Sequence, residues 1–119
     1  MRYMLLIYQA PEDMDAAPDG TCDTQCEESI ALAAELRAKG CLVGTDALSE
    51  VSTARTVRHR RGEYLTTDGP FAETREHLAG YFLVEAAGMD EALALARRLP
   101  QTRTGSVEVR PVFEIPGLH

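Results

Sequence analysis

The chain has 119 residues, 45% of them hydrophobic and 26% charged, which is typical of one globular domain, so we predict a single domain over residues 1–119. The net charge of −7 at pH 7 argues against nucleic-acid binding, because the first 50 residues carry the whole acidic excess and no broad basic face compensates it. No apolar run is long enough to span a membrane. Three cysteines make a secreted disulfide framework improbable and favour the cytoplasm.

The first third of the chain predicts a strand, a loop and a helix. The continuous apolar run from Tyr3 to Tyr8 is typical of a central strand. Residues 11–20 mix Pro, Gly and acids, which predicts a loop. A helix is predicted over Thr24–Lys39, with Gly40 as its stop and a capping box of Thr24 with Glu27. Its apolar positions are Cys26, Ile30, Ala33 and Leu36.

The middle of the chain is predicted to be rich in strands. A short strand is expected at 41–43, and two further strands at 56–57 and 64–67 flank a hairpin turn at residues 60–63. The only basic cluster, around residues 55–61, falls at this turn, where exposed charge is expected. Residues 80–86 form a second strongly apolar segment and predict another buried strand.

The last third predicts a helix and an edge strand. Asp90 is expected to cap a helix that ends at Pro100 and buries Ala92, Leu93, Ala96 and Leu99. Arg97 and Arg98 in its last turn complement the helix dipole. Residues 106–111 alternate apolar and polar side chains, so this strand has a polar face that is suited to lining a cleft.

The order of these elements predicts an α+β fold. Two β-α-β units joined through a hairpin indicate a ferredoxin-like antiparallel sheet with two helices on one face and an inserted hairpin. The other face of such a sheet keeps apolar surface uncovered, and a two-fold dimer that packs sheet on sheet is the simplest way to cover it. We therefore predict a homodimer.

The densest group of polar side chains lies between Thr66 and Tyr81, around the turn Asp68-Gly69-Pro70. Two interpretations stay open. In the first the turn is purely structural, because Asp, Gly and Pro each have a turn role. In the second Asp68 contacts a ligand or transfers a proton, since Phe71 beside it is able to desolvate the carboxylate.

The run Thr67-Asp68-Gly69-Pro70-Phe71-Ala72-Glu73-Thr74 resembles the signature of the DGPF family, within the YCII-related proteins. The resemblance extends over nearly the whole chain, through the segments 2–8, 35–40 and 105–111. It implies a dimeric α+β barrel of ferredoxin-like halves with an active site or ligand cleft near the Asp68 loop. It also implies a His and Asp pair, with the Asp at the position of Asp68.

The histidine of that pair has no obvious counterpart here, because the first predicted helix contains none. His59, His77 and His119 are the alternatives, and His77 is favoured because it follows Asp68 by nine residues. We expect Asp68 and His77 as catalytic residues. The expected ligand-binding residues are Tyr8, Gly69, Pro70, Phe71, Glu73 and Arg110.

Two further candidates have simpler explanations. The Arg110 guanidinium suits a bidentate contact to an anionic ligand, but an ion pair with Glu108 or Glu85 is the alternative. Cys22 and Cys26 have a spacing that suits a shared helix face and, with it, a zinc site or a redox pair, yet two ligands do not make a metal site and small core residues explain them better. We predict no metal and no cofactor.

Three functions remain as hypotheses. The first is binding of a small molecule in a cleft near the Asp68 loop. The second is a cofactor-free acid-base enzyme, of isomerase, lactone hydrolase or oxygenase type, with Asp68 as the base and His77 or Arg110 assisting. The third follows from the resemblance, since DGPF-type proteins are associated with extracytoplasmic-function sigma factors, and makes the protein an interaction partner of one.

Overall fold

The computed structural model describes residues 1–11 and 24–118. The predicted loop at 11–20 therefore lies almost wholly outside the described residues, as do Cys22 and His119. Two helices are present, α1 (Thr24–Ala38) and α2 (Met89–Arg97). Six strands accompany them: β1 (Arg2–Gln9), β2 (Leu42–Ala47), β3 (Arg55–Arg60), β4 (Glu63–Asp68), β5 (His77–Glu85) and β6 (Ser106–Pro111).

Four of the strands form one sheet in the order β2-β5-β1-β6, and its three neighbouring pairs all run antiparallel. The apolar segments at 3–8 and 80–86 lie in the two central strands, β1 and β5. A continuous apolar run is typical of a strand in the interior of a sheet. This order and the two helices confirm the predicted α+β fold. The hairpin of β3 and β4 is inserted between β2 and β5 and forms a separate two-stranded sheet.

The core lies between the four-stranded sheet and the two helices. Along β1 every second side chain is buried, because successive side chains of a strand point to opposite faces. Tyr3, Leu5 and Ile7 pack with Phe82 and Val84 of β5. The helices supply Leu32, Ala33 and Leu36 from α1 and Ala92 and Ala96 from α2. Both helices therefore cover the same face of the sheet.

The opposite face carries the alternate side chains of the same strands. Met4, Leu6 and Tyr8 of β1 are half-buried, as are Tyr81 and Leu83 of β5. The register places Leu6 between Tyr81 and Glu108, at the centre of the sheet. We call these positions the open face, because none of these side chains belongs to the helix-covered core.

The hairpin of β3 and β4 turns through Arg61 and Gly62, as the sequence predicted. Both residues have positive φ, 53° and 78°, which is the conformation of a type I′ turn and matches the twist of the two strands. Its side chains are largely exposed, with Val57 at 65% and Tyr64 at 77%. The hairpin therefore contributes little to the core.

The start of α2 differs from the prediction. Asp90 does not cap the helix, because the helix begins at Met89 and its N-cap is Gly88, without a side-chain cap. Asp90 and Glu91 lie in the first turn instead, where a negative charge interacts favourably with the helix dipole. An acidic residue is favourable both at the N-cap and in the first turn of a helix, so the sequence alone did not distinguish the two positions for Asp90.

The end of α2 is tied to α1 by an ion pair. The Nη1 atom of Arg98 lies 2.6 Å from Oε2 of Glu35, and Nη2 lies 2.8 Å from Oε1, a bidentate arrangement. These bonds, together with one from Lys39, lower the pKa of Glu35 from 4.5 to about 2. The sequence placed Arg98 near the helix dipole and did not reveal this partner on the other helix.

This ion pair predicts a specific response to acid. A carboxylate whose pKa is lowered by folding contributes stability above its unfolded pKa and loses that contribution as the pH falls towards its folded pKa. In an NMR titration the Glu35 carboxyl should therefore stay mostly ionised at pH 3, whereas in Arg98→Gln it should take up its proton at a higher pH than in wild type, with the Lys39 bond still lowering its pKa. Arg97→Gln, the same change one residue earlier, should leave the Glu35 titration unchanged. Protonation at the same pH in all three proteins would contradict the ion pair.

None of the helices in the described part of the chain is both long and apolar enough to cross a membrane.

Candidate functional site

The loop that follows Asp68 is held against the start of the hairpin by backbone and side-chain hydrogen bonds. Asp68 is the last residue of β4, and Gly69 adopts a φ of 95°, a conformation that favours glycine. The Gly69 amide donates to the carbonyl of Ala54 at 2.7 Å, and the Thr56 hydroxyl donates to the Gly69 carbonyl at 2.8 Å. The turn therefore has a clear structural role.

The Asp68 carboxylate lies at the surface. Its Oδ1 atom is 2.9 Å from Nη1 of Arg55, and the Asp68 side chain is 87% exposed. Phe71 is 78% exposed, and its carbonyl accepts a hydrogen bond from Arg58 at 2.8 Å. The aromatic ring therefore does not desolvate Asp68, contrary to the expectation from sequence.

His77 begins β5 and pairs with Gln9 in the sheet. Its Nδ1 atom lies 3.5 Å from the Thr74 hydroxyl. Among the described residues no hydrogen bond or ion pair joins His77 to Asp68. A catalytic pair of Asp68 and His77 therefore stays a prediction. His59, the alternative, contacts Tyr64 on the exposed hairpin, with the ring centroids 4.5 Å apart and the ring planes tilted by 44°.

A pocket of about 720 Å³ lies where the Asp68 loop reaches the sheet. Tyr8 at the end of β1 and residues 106–108 at the start of β6 form one side, because Tyr8 and Ser106 are neighbours in the sheet register. Residues 74–76, the last part of the loop, form the other side. The Ser106 hydroxyl donates to Oε1 of Glu76 at 2.8 Å and links the two sides. The lining residues are Tyr8, Thr74, Arg75, Glu76, Thr104, Ser106, Val107 and Glu108.

The pocket brings together only part of the predicted ligand-binding set. Tyr8 lines it, whereas Gly69, Pro70, Phe71, Glu73 and Arg110 do not. The Nε atom of Arg110 lies 3.8 Å from Oε2 of Glu108, the ion pair considered as the alternative to a ligand contact. The polar face expected for the last strand does reach the pocket through Ser106 and Glu108.

The cysteines are arranged differently from the prediction. Cys26 is exposed rather than a small core residue, because the buried side of α1 is formed by residues such as Leu32 and Leu36. Cys26 is also disulfide-bonded. Cys41 is a free thiol. Within residues 1–11 and 24–118, no group of three or more His, Cys, Asp or Glu side chains is placed to hold a metal ion.

Comparison with known proteins identifies the family. The model of the YCII-related domain matches residues 1–116, which is almost the entire chain. An uncharacterized protein of Rhizobium meliloti (strain 1021) is 49% identical over 67 residues, a match that covers 55% of this chain and 54% of that protein. The matched region thus spans about half the length of this curated relative. The chain belongs to the YCII-related family.

Proposed function

We propose that this chain binds a small polar molecule in the pocket beside the Asp68 loop. The observation that carries the proposal is the convergence of three separate chain segments on one cavity of about 720 Å³, a volume within the range of small-molecule sites. Hydroxyl, carboxylate and guanidinium groups lie beside the aromatic ring of Tyr8. The lining is mainly polar, with Tyr8 and Val107 as its apolar members, and convergent polar groups of this kind orient a ligand.

Acid-base catalysis by Asp68 has less support than binding in this pocket. Asp68 is exposed, is paired with Arg55 and is not among the pocket-lining residues. A general base is expected to lie within hydrogen-bond reach of the proton that it abstracts. A ligand in the pocket is instead in contact with residues 74–76 and with β6.

A library of metabolites screened by thermal shift tests the proposal. A ligand present at 100 times its Kd adds about 2.7 kcal/mol to the free energy of unfolding, which raises Tm by several degrees. In Ser106→Tyr the larger side chain fills the pocket, so the same compound should give no shift. The control is Ser52→Tyr, the same change on an exposed turn away from the pocket. A library without any active compound, or a shift that persists in Ser106→Tyr, would contradict the proposal.

We further propose that two copies of the chain pack through their open faces into a dimeric α+β barrel. Support comes from the apolar centre of that face, formed by Met4, Leu6 and Leu83, and from both helices lying on the other side. An uncovered apolar sheet face of this kind is typical of an interface between subunits. The pocket lies at one end of this face, because Tyr8 belongs to the open face and Glu108 is the register neighbour of Leu6.

Sedimentation and light scattering test the dimer. Wild-type protein should have twice the mass of the chain, and Leu6→Glu should be monomeric, because it places a charge at the centre of the interface. Ile30→Glu serves as the matched control, since Ile30 is 61% exposed on α1 and lies away from the open face. A monomeric wild type, or a dimeric Leu6→Glu, would show that the open face is not the interface.

A further inference from the structure

A small network of buried polar side chains lies directly behind the pocket. Gln9 at the end of β1 and Gln25 in the first turn of α1 are almost completely buried, at 6% and 9% exposure. The Gln9 amide nitrogen donates to Oε1 of Gln25 at 3.3 Å and to the hydroxyl of Thr104 at 3.2 Å. The Gln25 amide nitrogen donates to the same hydroxyl at 3.3 Å. The three side chains form a closed triangle.

This network fixes the direction of the Thr104 hydroxyl. A threonine hydroxyl has one proton to donate and two lone pairs that accept. Both lone pairs are used by the amide groups of Gln9 and Gln25, so the proton is left for a third partner. Within the described part of the chain no acceptor receives it. Thr104 is exposed and lines the pocket, so the remaining O–H group is available to a ligand there.

The charges of the pocket restrict the kind of ligand. Its lining contains the two carboxylates of Glu76 and Glu108 and the single guanidinium of Arg75. The Glu76 carboxylate also accepts a hydrogen bond from Ser106, which holds it at the pocket wall. Arg110 lies 3.8 Å from Glu108 and offsets its charge, so Glu76, which Ser106 holds at the pocket wall, is the carboxylate that favours a cation over an anion of similar shape.

We propose that the Thr104 hydroxyl is a fixed hydrogen-bond donor of this pocket, and that the ligand is a small ammonium compound with a carbonyl or hydroxyl oxygen. Amino amides, amino alcohols and amino sugars belong to this class. The ligand oxygen accepts from Thr104, and the ammonium group lies near Glu76. This inference rests on the proposed function, because it assigns the ligand class of the same pocket.

NMR titration of ¹⁵N-labelled protein with three probes tests the inference. Glycinamide carries both an ammonium group and a carbonyl oxygen, ethylamine lacks the carbonyl, and acetate is an anion. Glycinamide should shift the backbone resonances of residues 104–108 and 74–76. Ethylamine should shift them at higher concentrations, and acetate should not shift them.

Variants of Thr104 separate its role from a general effect on the pocket. Thr104→Val keeps the shape of the side chain but also removes the acceptor of the Gln9 and Gln25 amides, so the comparison is made on protein whose ¹⁵N spectrum matches wild type outside the pocket. In that protein the Kd of glycinamide should rise about 3- to 10-fold, the usual effect of one neutral hydrogen bond, with a smaller change for ethylamine. Thr104→Ser keeps the hydroxyl and should restore the wild-type Kd. Thr102→Val is the matched control and should bind normally, since the Thr102 hydroxyl donates to the Leu99 carbonyl outside the pocket.

The outcomes distinguish this inference from the proposed function. If glycinamide binds in the pocket with the same Kd in Thr104→Val as in wild type, the proposed donor role of Thr104 is wrong, whereas ligand binding in the pocket is supported. If acetate binds better than glycinamide, the ligand class is wrong. If no probe shifts the pocket resonances, the ligand class is also wrong, and the metabolite screen with Ser106→Tyr decides separately whether the pocket binds any compound.

Discussion

Leu5→Ala is expected to lower the free energy of unfolding by about 3–5 kcal/mol, the upper part of the range for large-to-small changes in a core. Leu5 is 0% exposed and lies in β1, between Phe82 of β5 and Val109 of β6. Strands hydrogen-bonded on both sides have little freedom to move inward, so most of the cavity should remain.

Denaturant unfolding followed by circular dichroism measures this loss. The matched control is Leu118→Ala, because Leu118 is 69% exposed and the same change there should alter stability by no more than about 0.5 kcal/mol. A Leu5→Ala variant as stable as the control would show that β1 is not the centre of the core.

Gly105→Ala is expected to cost about 3 kcal/mol, near the upper end of the usual range for overpacking. A Cβ atom at this position would lie well inside contact distance of the backbone carbonyl oxygen of Tyr8, and 3.1 Å from Cγ of Gln9. Backbone atoms of a central strand have no room to retreat, so β1 and β6 would have to separate at their pocket end.

Gly44→Ala is the control for this change, because a Cβ atom on Gly44 of β2 would meet no other atom within 4 Å. Thermal or denaturant unfolding of the two variants gives the comparison. Gly105→Ala should also weaken ligand binding, since the pocket residues Tyr8 and Ser106 lie on the two strands that separate. Equal stability of the two variants would contradict the close approach at Gly105.

The fold was largely predictable because its main signals are local. The run 3–8 and the segment 80–86 are apolar enough to identify β1 and β5, and the Arg61-Gly62 turn identifies the hairpin. The start of β5 was missed by three residues, because the register between β1 and β5 is irregular there. Tyr8 pairs with Leu78 and Ile7 with Gly80, so Ala79 is an extra residue that interrupts the alternation of side chains.

The site was less predictable because its contacts join distant parts of the chain. The density of polar residues and the family signature located the Asp68 loop, and the alternation at 106–111 indicated a polar strand face. Thr104 gave no signal, since its partners Gln9 and Gln25 are 95 and 79 positions away in sequence. Sequence spacing also did not reveal that Asp68 and Phe71 face solvent.

The separation of the hairpin from the main sheet has a consequence for the motions of the molecule. The ladder hydrogen bonds of β3 and β4 are made to each other, whereas β1 is bonded on both sides within the core sheet. Opening of the hairpin therefore breaks few contacts with the core, and its amides should exchange with solvent through local fluctuations. The amides of β1 should exchange only when the whole domain unfolds. Asp68 and the first part of its loop belong to the hairpin, which should exchange fast, whereas the pocket wall at Tyr8 belongs to β1, which should exchange slowly.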